Sequence, residues 1–188
     1  MMTEKDYRME PEAAASYPEG TVGVLFEEIY DTHFEAVNRY LRYRVENSWD
    51  ADDLTAVVFV KVLENLGRFR GEAPWAVWIF RIAHNTYVDY LRGRRERVFS
   101  PEELKQLGGG GAGPEEKILK SEETRRLRNM LQSLTPEQRD VVSLRYAGEL
   151  KFGQIGEVLG RSEAAVRMTH HRALKNLRAG YRLEEEGR

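Results

Sequence analysis

From Val22 onward the apolar positions fall at helical spacing. Leu25, Ile29, Val37, Leu41 and Val45 recur near every 3.6 residues, and Phe26, Tyr30, Phe34 and Tyr40 widen the stripe. The pattern predicts a first helix that Ser48-Trp49-Asp50 interrupts. A second helix follows over about 51–66, with Leu54, Val57, Val58, Val62, Leu63 and Leu66 apolar. The segment Gly67-Arg68-Phe69-Arg70-Gly71-Glu72-Ala73 reads as a loop, and Pro74 suits the first turn of a third helix running to about Arg95. Trp75, Trp78, Ile79, Ile82, Tyr87 and Leu91 form its apolar stripe. No segment alternates with the period of a strand.

Residues 98–114 break the helical pattern, with five glycines in the six positions from Gly108 to Gly113. Such a run disfavours helix and predicts a flexible connector between two domains. Beyond it a helix is expected over about 114–133. Thr135-Pro136-Glu137-Gln138 then spells a capping box: Thr at the cap, Pro at the first helical position, Gln three residues after the cap. Residues 151–178 read as a short helix, a tight turn at Gly160 and a longer helix capped by Ser162. The expectation is an all-α chain. It has a tail (1–21), a domain of three to four helices (22–98), a Gly-rich linker (99–113), a helix-turn-helix domain (114–182) and a short tail (183–188).

Composition narrows the class. In 188 residues, 41% hydrophobic and 32% charged, there is material for two small cores under a polar surface. The acidic N-terminus lacks the apolar stretch of a secretory signal, and no apolar run is long enough to insert in a membrane. With no cysteine there is no disulfide or thiolate metal site. These features predict a soluble cytoplasmic protein. The net charge of −2 averages unlike pieces. Residues 1–65 carry 14 Asp/Glu against 6 Lys/Arg, whereas residues 66–100 carry 3 against 7. Opposite surfaces on one chain suggest two kinds of partner.

The helix-turn-helix supplies the chemistry. Phe152, Ile155, Val158 and Leu159 form the inner face of its first helix, and Val166, Ala173, Leu174 and Leu177 that of its second. Arg161, Ser162, Glu163, Ala164 and Arg167 stand at the N-terminal end, where a helix seated in the major groove meets base edges. Arg can pair with guanine and Glu can accept from cytosine. His171, Arg172 and Lys175 suit phosphates, which set register. His170 lies on the apolar stripe and reads as a packing residue. On spacing alone, an ordinary helical hairpin with a charged outer face remains the alternative.

Enzymatic readings find little support. His33, His84, His170 and His171 form no metal-ligand constellation. Asp52 and Asp53 diverge on a helix whose N-terminal dipole they complement. The glycine run lacks the strand before it and the Lys-Ser/Thr after it that a phosphate loop needs. Neither a cofactor nor a small-molecule substrate is expected.

Over residues 22–98 and 114–180 the chain resembles the bacterial extracytoplasmic-function sigma factors of the sigma-70 family. The likeness rests on Asp52-Asp53-Leu54-Thr55-Ala56-Val57-Val58-Phe59, Trp78 through Asn85, and Asp89-Tyr90-Leu91-Arg92. In the second half it rests on Leu134 through Arg139, Leu144-Arg145-Tyr146 and Val166 through Leu174. The resemblance implies a non-enzymatic subunit that recruits core RNA polymerase and helps melt promoters, commonly under an anti-sigma factor. Its first domain would bind the polymerase clamp through Asp52, Asp53, Leu54, Thr55 and Phe59. It would also read the −10 element through Arg68, Phe69, Arg70, Arg81, Asn85, Arg92, Arg94 and Arg95. The second domain would read the −35 element and touch the polymerase flap.

Several positions depart from the family pattern. Ala56-Val57 replaces Gln-Glu, making the second helix more apolar. Gly156 replaces Ala, and by intrinsic propensity should weaken its helix by up to about 1 kcal/mol. Met168-Thr169 replaces Ser-Arg, and His170 replaces Leu. A self-sufficient helix-turn-helix regulator, with a dimerising or sensing first domain, is the alternative reading.

Overall fold

A computed structural model describes residues 19–45, 47–96, 127 and 129–186, and among these the regular structure is entirely helical. The glycine-rich linker and most of the expected 114–133 helix lie outside the described residues, with helical backbone resuming at 129–132. Helix α1 spans Glu19–Arg42, α2 Ser48–Asn65 and α3 Trp75–Glu96. In the second domain α4 spans Pro136–Tyr146, α5 Phe152–Leu159 and α6 Glu163–Glu186.

Local chemistry sets most boundaries. Helix α2 starts three residues before its expected start because Asn47 caps it: its side chain accepts from the backbone N–H of Trp49. Ser48-Trp49-Asp50 is therefore the first turn of a helix, not a break. Its C-terminus tightens into a 3-10 turn at Leu66–Arg68, which feeds the loop to α3. The capping box of α4 forms as expected, with the Gln138 N–H donating to Thr135 Oγ1 and the Thr135 N–H to Gln138 Oε1. Gly160 takes the left-handed conformation at φ 65° that closes the helix-turn-helix, and Ser162 Oγ accepts from the Ala165 N–H. Helix α6 continues through residues 183–186, where a tail was expected, because Leu183 and three glutamates favour helix up to Gly187.

The packing joins the two domains. A small core of Leu131, Leu134, Val142 and Ala173 lies in the second domain, and Tyr43, just past α1, packs against it beside Leu177. The larger cluster runs unbroken from Val37, Tyr40 and Phe80 in α1 and α3 to Leu144, Ala147 and Ile155 around α4 and α5. Neighbours Val141 and Val142 sit about 100° apart on α4, so one enters each core. At the joint, Gly148 lies so close to Phe80 that a Cβ would sit 2.9 Å from the ring and 2.8 Å from Leu144 O.

Candidate nucleic-acid interface

Helix α6 is held by its apolar side and offers its polar side. Val166 and Ala173 are fully buried, while Arg161 through Ala165, Arg167, Met168, His171, Arg172 and Lys175 are exposed. Arg161, Glu163 and Arg167, all expected DNA contacts, are already engaged. Arg161 forks onto Glu137, with Nη2 2.6 Å from Oε1, and holds that carboxyl below the usual carboxylate range. Arg167 donates Nε and Nη2 to Glu163 Oε1 and lies 4.6 Å from the centre of the Phe152 ring. The end expected to read bases is thus a pre-organised Glu–Arg unit resting on an aromatic ring, and His171, Arg172 and Lys175 are the outward groups along the helix. His170 packs as expected. It lies edge-on to Phe152 at 5.0 Å, its Nε2 stands 3.2 Å from Tyr146 Oη, and burial first, then Arg145 and His171, lower its pKa.

A second surface forms where the 66–73 segment meets α3. Phe69 does not offer an open aromatic face: it stacks on Trp75 at 3.7 Å, tilts against Trp78 at 5.1 Å and is buried with Trp75. The three rings instead floor the loop. Beside them opens a cavity of about 360 Å³ lined by Lys61, Asn65, Arg68, Trp78, Ile82 and Asn85. Sequence reasoning missed Lys61 and Asn65. They stand one turn apart at the end of α2, a polar pair beside a loop, and only the fold turns that edge toward α3. Asn65 Nδ2 donates to Lys61 O, and Lys61 Nζ reaches Thr86 Oγ1 at 3.1 Å.

The remaining −10 candidates are spread along α3 and the loop. Arg70 lies 3.9 Å from Glu72, Arg92 3.8 Å from Asp89, and Arg94 Nη1 donates to Tyr90 Oη. The Arg95 side chain is outside the described residues. Arg81 is turned to the second domain, donating Nη2 to the backbone oxygen of Glu157 at 3.1 Å.

On α2 the expected polymerase-facing residues divide. Asp53 is exposed, and Asp52 is exposed but held by Arg42 and Asn38. Leu54, Thr55 and Phe59 face inward. Thr55, 1% exposed, donates its hydroxyl to Ala51 O, and Phe59, 3% exposed, packs edge-on to Tyr30. The outer face carries Trp49, Ala56, Val57, Val60 and Leu63, with Trp49 66% and Val60 55% exposed. A helix apolar on both sides does not declare its inner face, and here one apolar face is buried while the other is exposed.

A helix-turn-helix with an outward cationic helix, joined to a helical domain that carries a polar cavity between α2 and α3, defines the class: a helix-turn-helix DNA-binding protein with a second helical domain. Comparison with known proteins is specific. Residues 29–97 match Sigma-70 region 2 and residues 130–179 match Sigma-70, region 4. The chain is 30% identical over 156 residues to the RNA polymerase sigma factor YlaC of Bacillus subtilis, covering 81% of this chain and 89% of that one. It is 29% identical over 154 residues to the ECF RNA polymerase sigma factor BldN of Streptomyces coelicolor, covering 81% of this chain and 58% of BldN. The structure of CnrH in complex with the cytosolic domain of CnrY shares the fold, with a TM-score of 0.65 and 24% identity over 94% of this chain and 97% of that one. The chain belongs to the sigma-70 family of RNA polymerase sigma factors, in its extracytoplasmic-function group.

Proposed function

We propose that the chain is an alternative sigma factor: a non-enzymatic subunit that binds core RNA polymerase in the cytoplasm and directs it to a particular set of promoters. The observation that carries this reading is the presence of both sigma regions, in order, on one chain. In the second domain, Glu163 and Arg167 read base edges of the −35 element from the major groove, with Ser162 and Ala164 close to the groove floor. Arg161 braces the turn through Glu137, and His171, Arg172 and Lys175 hold phosphates.

In the first domain, strand opening takes a base of the −10 element out of its stack, and the cavity beside Trp78 is built to hold it. Trp78 supplies a stacking face, Asn85 and Asn65 supply amide donors and acceptors, and Arg68 and Lys61 draw the backbone. Arg70, Arg92, Arg94 and Arg95 extend the cationic track. The outer face of α2, from Trp49 through Val57 and Val60 to Leu63 with Asp53 beside it, docks on the polymerase clamp, and the second domain touches the flap. Structures that share this fold include CnrH in complex with the cytosolic domain of CnrY and the sigma factor RpoE in complex with the anti-sigma factor NepR from Bartonella quintana. An anti-sigma factor is accordingly proposed as the regulator of this chain too.

Run-off transcription tests the reading. The purified chain with core polymerase and a library of genomic fragments is expected to yield a discrete set of transcripts that core polymerase alone does not make. Failure to bind core polymerase, or binding without promoter-specific transcripts, overturns it.

A further inference from the structure

None of the residues assigned to the −35 element lies on α5, yet the first turn of α5 holds the end of α6 that reads bases. Glu163 and Arg167 stand one turn apart on α6, and Arg167 Nε and Nη2 both donate to Glu163 Oε1. Their side chains are 49% and 60% exposed. An exposed pair at this spacing is formed only about twice as often as it is open. A ring under the guanidinium changes that. The Arg167 guanidinium lies 4.6 Å from the centre of the Phe152 ring, a contact that favours the closed pair by roughly a further two- to fivefold.

Phe152 is itself fixed. Arg145 lies 5.0 Å from the centre of the same ring, and its Nη1 donates to Leu150 O at 2.8 Å. His170 meets the ring edge-on at 5.0 Å, with Tyr146 Oη 3.2 Å from its Nε2. Helix α5 is fastened to the start of α6, since the Arg161 N–H donates to Gly156 O at 2.8 Å. Gly153 leaves room on the other side of the pair: a Cβ there would stand 3.3 Å from Glu163 Oε2.

Locking the pair leaves a defined edge. Arg167 keeps the fork of Nη1 and Nη2 hydrogens at the end of its guanidinium, and among the described residues no hydrogen bond reaches Nη1 or Glu163 Oε2. Two donors beside one acceptor complement the major-groove edge of a G·C pair, which presents guanine N7, guanine O6 and the cytosine N4 amine. An A·T pair puts an amine where the fork needs an acceptor. The unit is neutral as a whole, so it adds discrimination without adding to the salt-dependent attraction.

We propose that Phe152 is a positioning residue for promoter recognition: from α5, with Gly153 leaving room, it locks Arg167 and Glu163 into one unit that reads a single G·C pair. The inference rests on the assignment of α6 as the −35 reader.

Two measurements test it, and the first needs no polymerase. In the full chain alone, NMR relaxation of the Arg167 Nε–H is expected to show an ordered side chain. Phe152→Leu should lower its order parameter below about 0.6, and Phe152→Tyr should preserve it. In run-off transcription with core polymerase, each pair in the −35 region of a selected promoter is changed through all four. One position is expected to favour G·C by about tenfold or more. Phe152→Leu should cut that preference to about threefold or less, leaving the other positions and the salt slope as in the parent. Phe152→Tyr should keep the preference and Gly153→Ala should weaken it. Arg167→Lys, at an exposed position where folding is not at issue, keeps the charge without the fork and should lose the preference at that same pair. A mobile Arg167 in the parent overturns the proposal. So does an Arg167→Lys chain that keeps the preference, or a Phe152→Leu chain whose preferences are unchanged or reduced alike at every position. A parent chain that yields no transcripts counts instead against the sigma-factor reading, and the NMR measurement still decides whether Phe152 positions Arg167.

Discussion

Gly156→Ala and Gly153→Ala, two substitutions on one short helix, are expected to act in opposite directions. By intrinsic propensity each should stabilise α5, glycine being about 1 kcal/mol worse than alanine inside a helix. The surroundings differ. A Cβ at Gly156 would sit 2.5 Å from the backbone oxygen of Arg161, about 0.9 Å inside the 3.4 Å at which ordinary contact begins. That carbonyl is in the turn, where the Arg161 N–H donates to Gly156 O at 2.8 Å, so it is tied to the residue it must avoid. Overpacking of this kind costs about 1–3 kcal/mol, more than the propensity gain, leaving a net loss of about 1 kcal/mol. At Gly153 a Cβ would meet only Glu163 Oε2, at 3.3 Å, the end of a flexible side chain, so most of the gain should survive. For a chain of this size 1 kcal/mol moves Tm by about 2–4 °C. Thermal unfolding of the full chain should place Gly156→Ala below the parent by that amount and Gly153→Ala above it. A Gly156→Ala chain at or above the parent Tm would refute the reasoning and restore the propensity argument.

Three other outcomes are expected. Thr135→Ala removes the cap of α4 and should cost about 1 kcal/mol, read as a lower urea midpoint. Arg172→Ala and Lys175→Ala should each weaken duplex binding by the holoenzyme and lower the slope of log K against log salt by about 0.9, whereas Glu163→Gln should change which −35 sequences are bound. Burial first, then Arg44, lower the His84 pKa to about 4, so the folded chain resists a proton that the unfolded chain takes up below about 6.5. Stability contributed by neutral His84 is therefore present above pH 6.5 and falls by up to about 2 kcal/mol between pH 6.5 and 5, a loss that His84→Gln should flatten in denaturant titrations at each pH.

Local grammar was legible where a side chain acts on its own neighbourhood. The Thr135–Gln138 box, the αL turn at Gly160 and the Ser162 cap all stood in the sequence because each works through residues three or four apart. Asn47 is a cap of the same kind, hidden behind a tryptophan and an aspartate that resemble an interruption. What periodicity does not state is the partner of an apolar face. Val57 and Leu63 share hydrophobicity with Val58 and Val62, yet the first two lie outward and the last two inward. Likewise Leu144 reads as core without saying whose core, and Gly156 reads as a weak helix former until the carbonyl of Arg161 stands beside it.

The apolar joint between the domains has a thermal consequence. Its side chains leave water when the chain closes, so closing carries a negative heat-capacity change, and hydrophobic attraction of this kind fades on cooling. The buried ion pair of Arg44 and Asp140 pulls in the same direction, since the cost of dehydrating charges falls as temperature rises. Cold therefore loosens the joint and warmth tightens it. The strength of the contact between the two domains should vary with temperature even when the amount of protein does not.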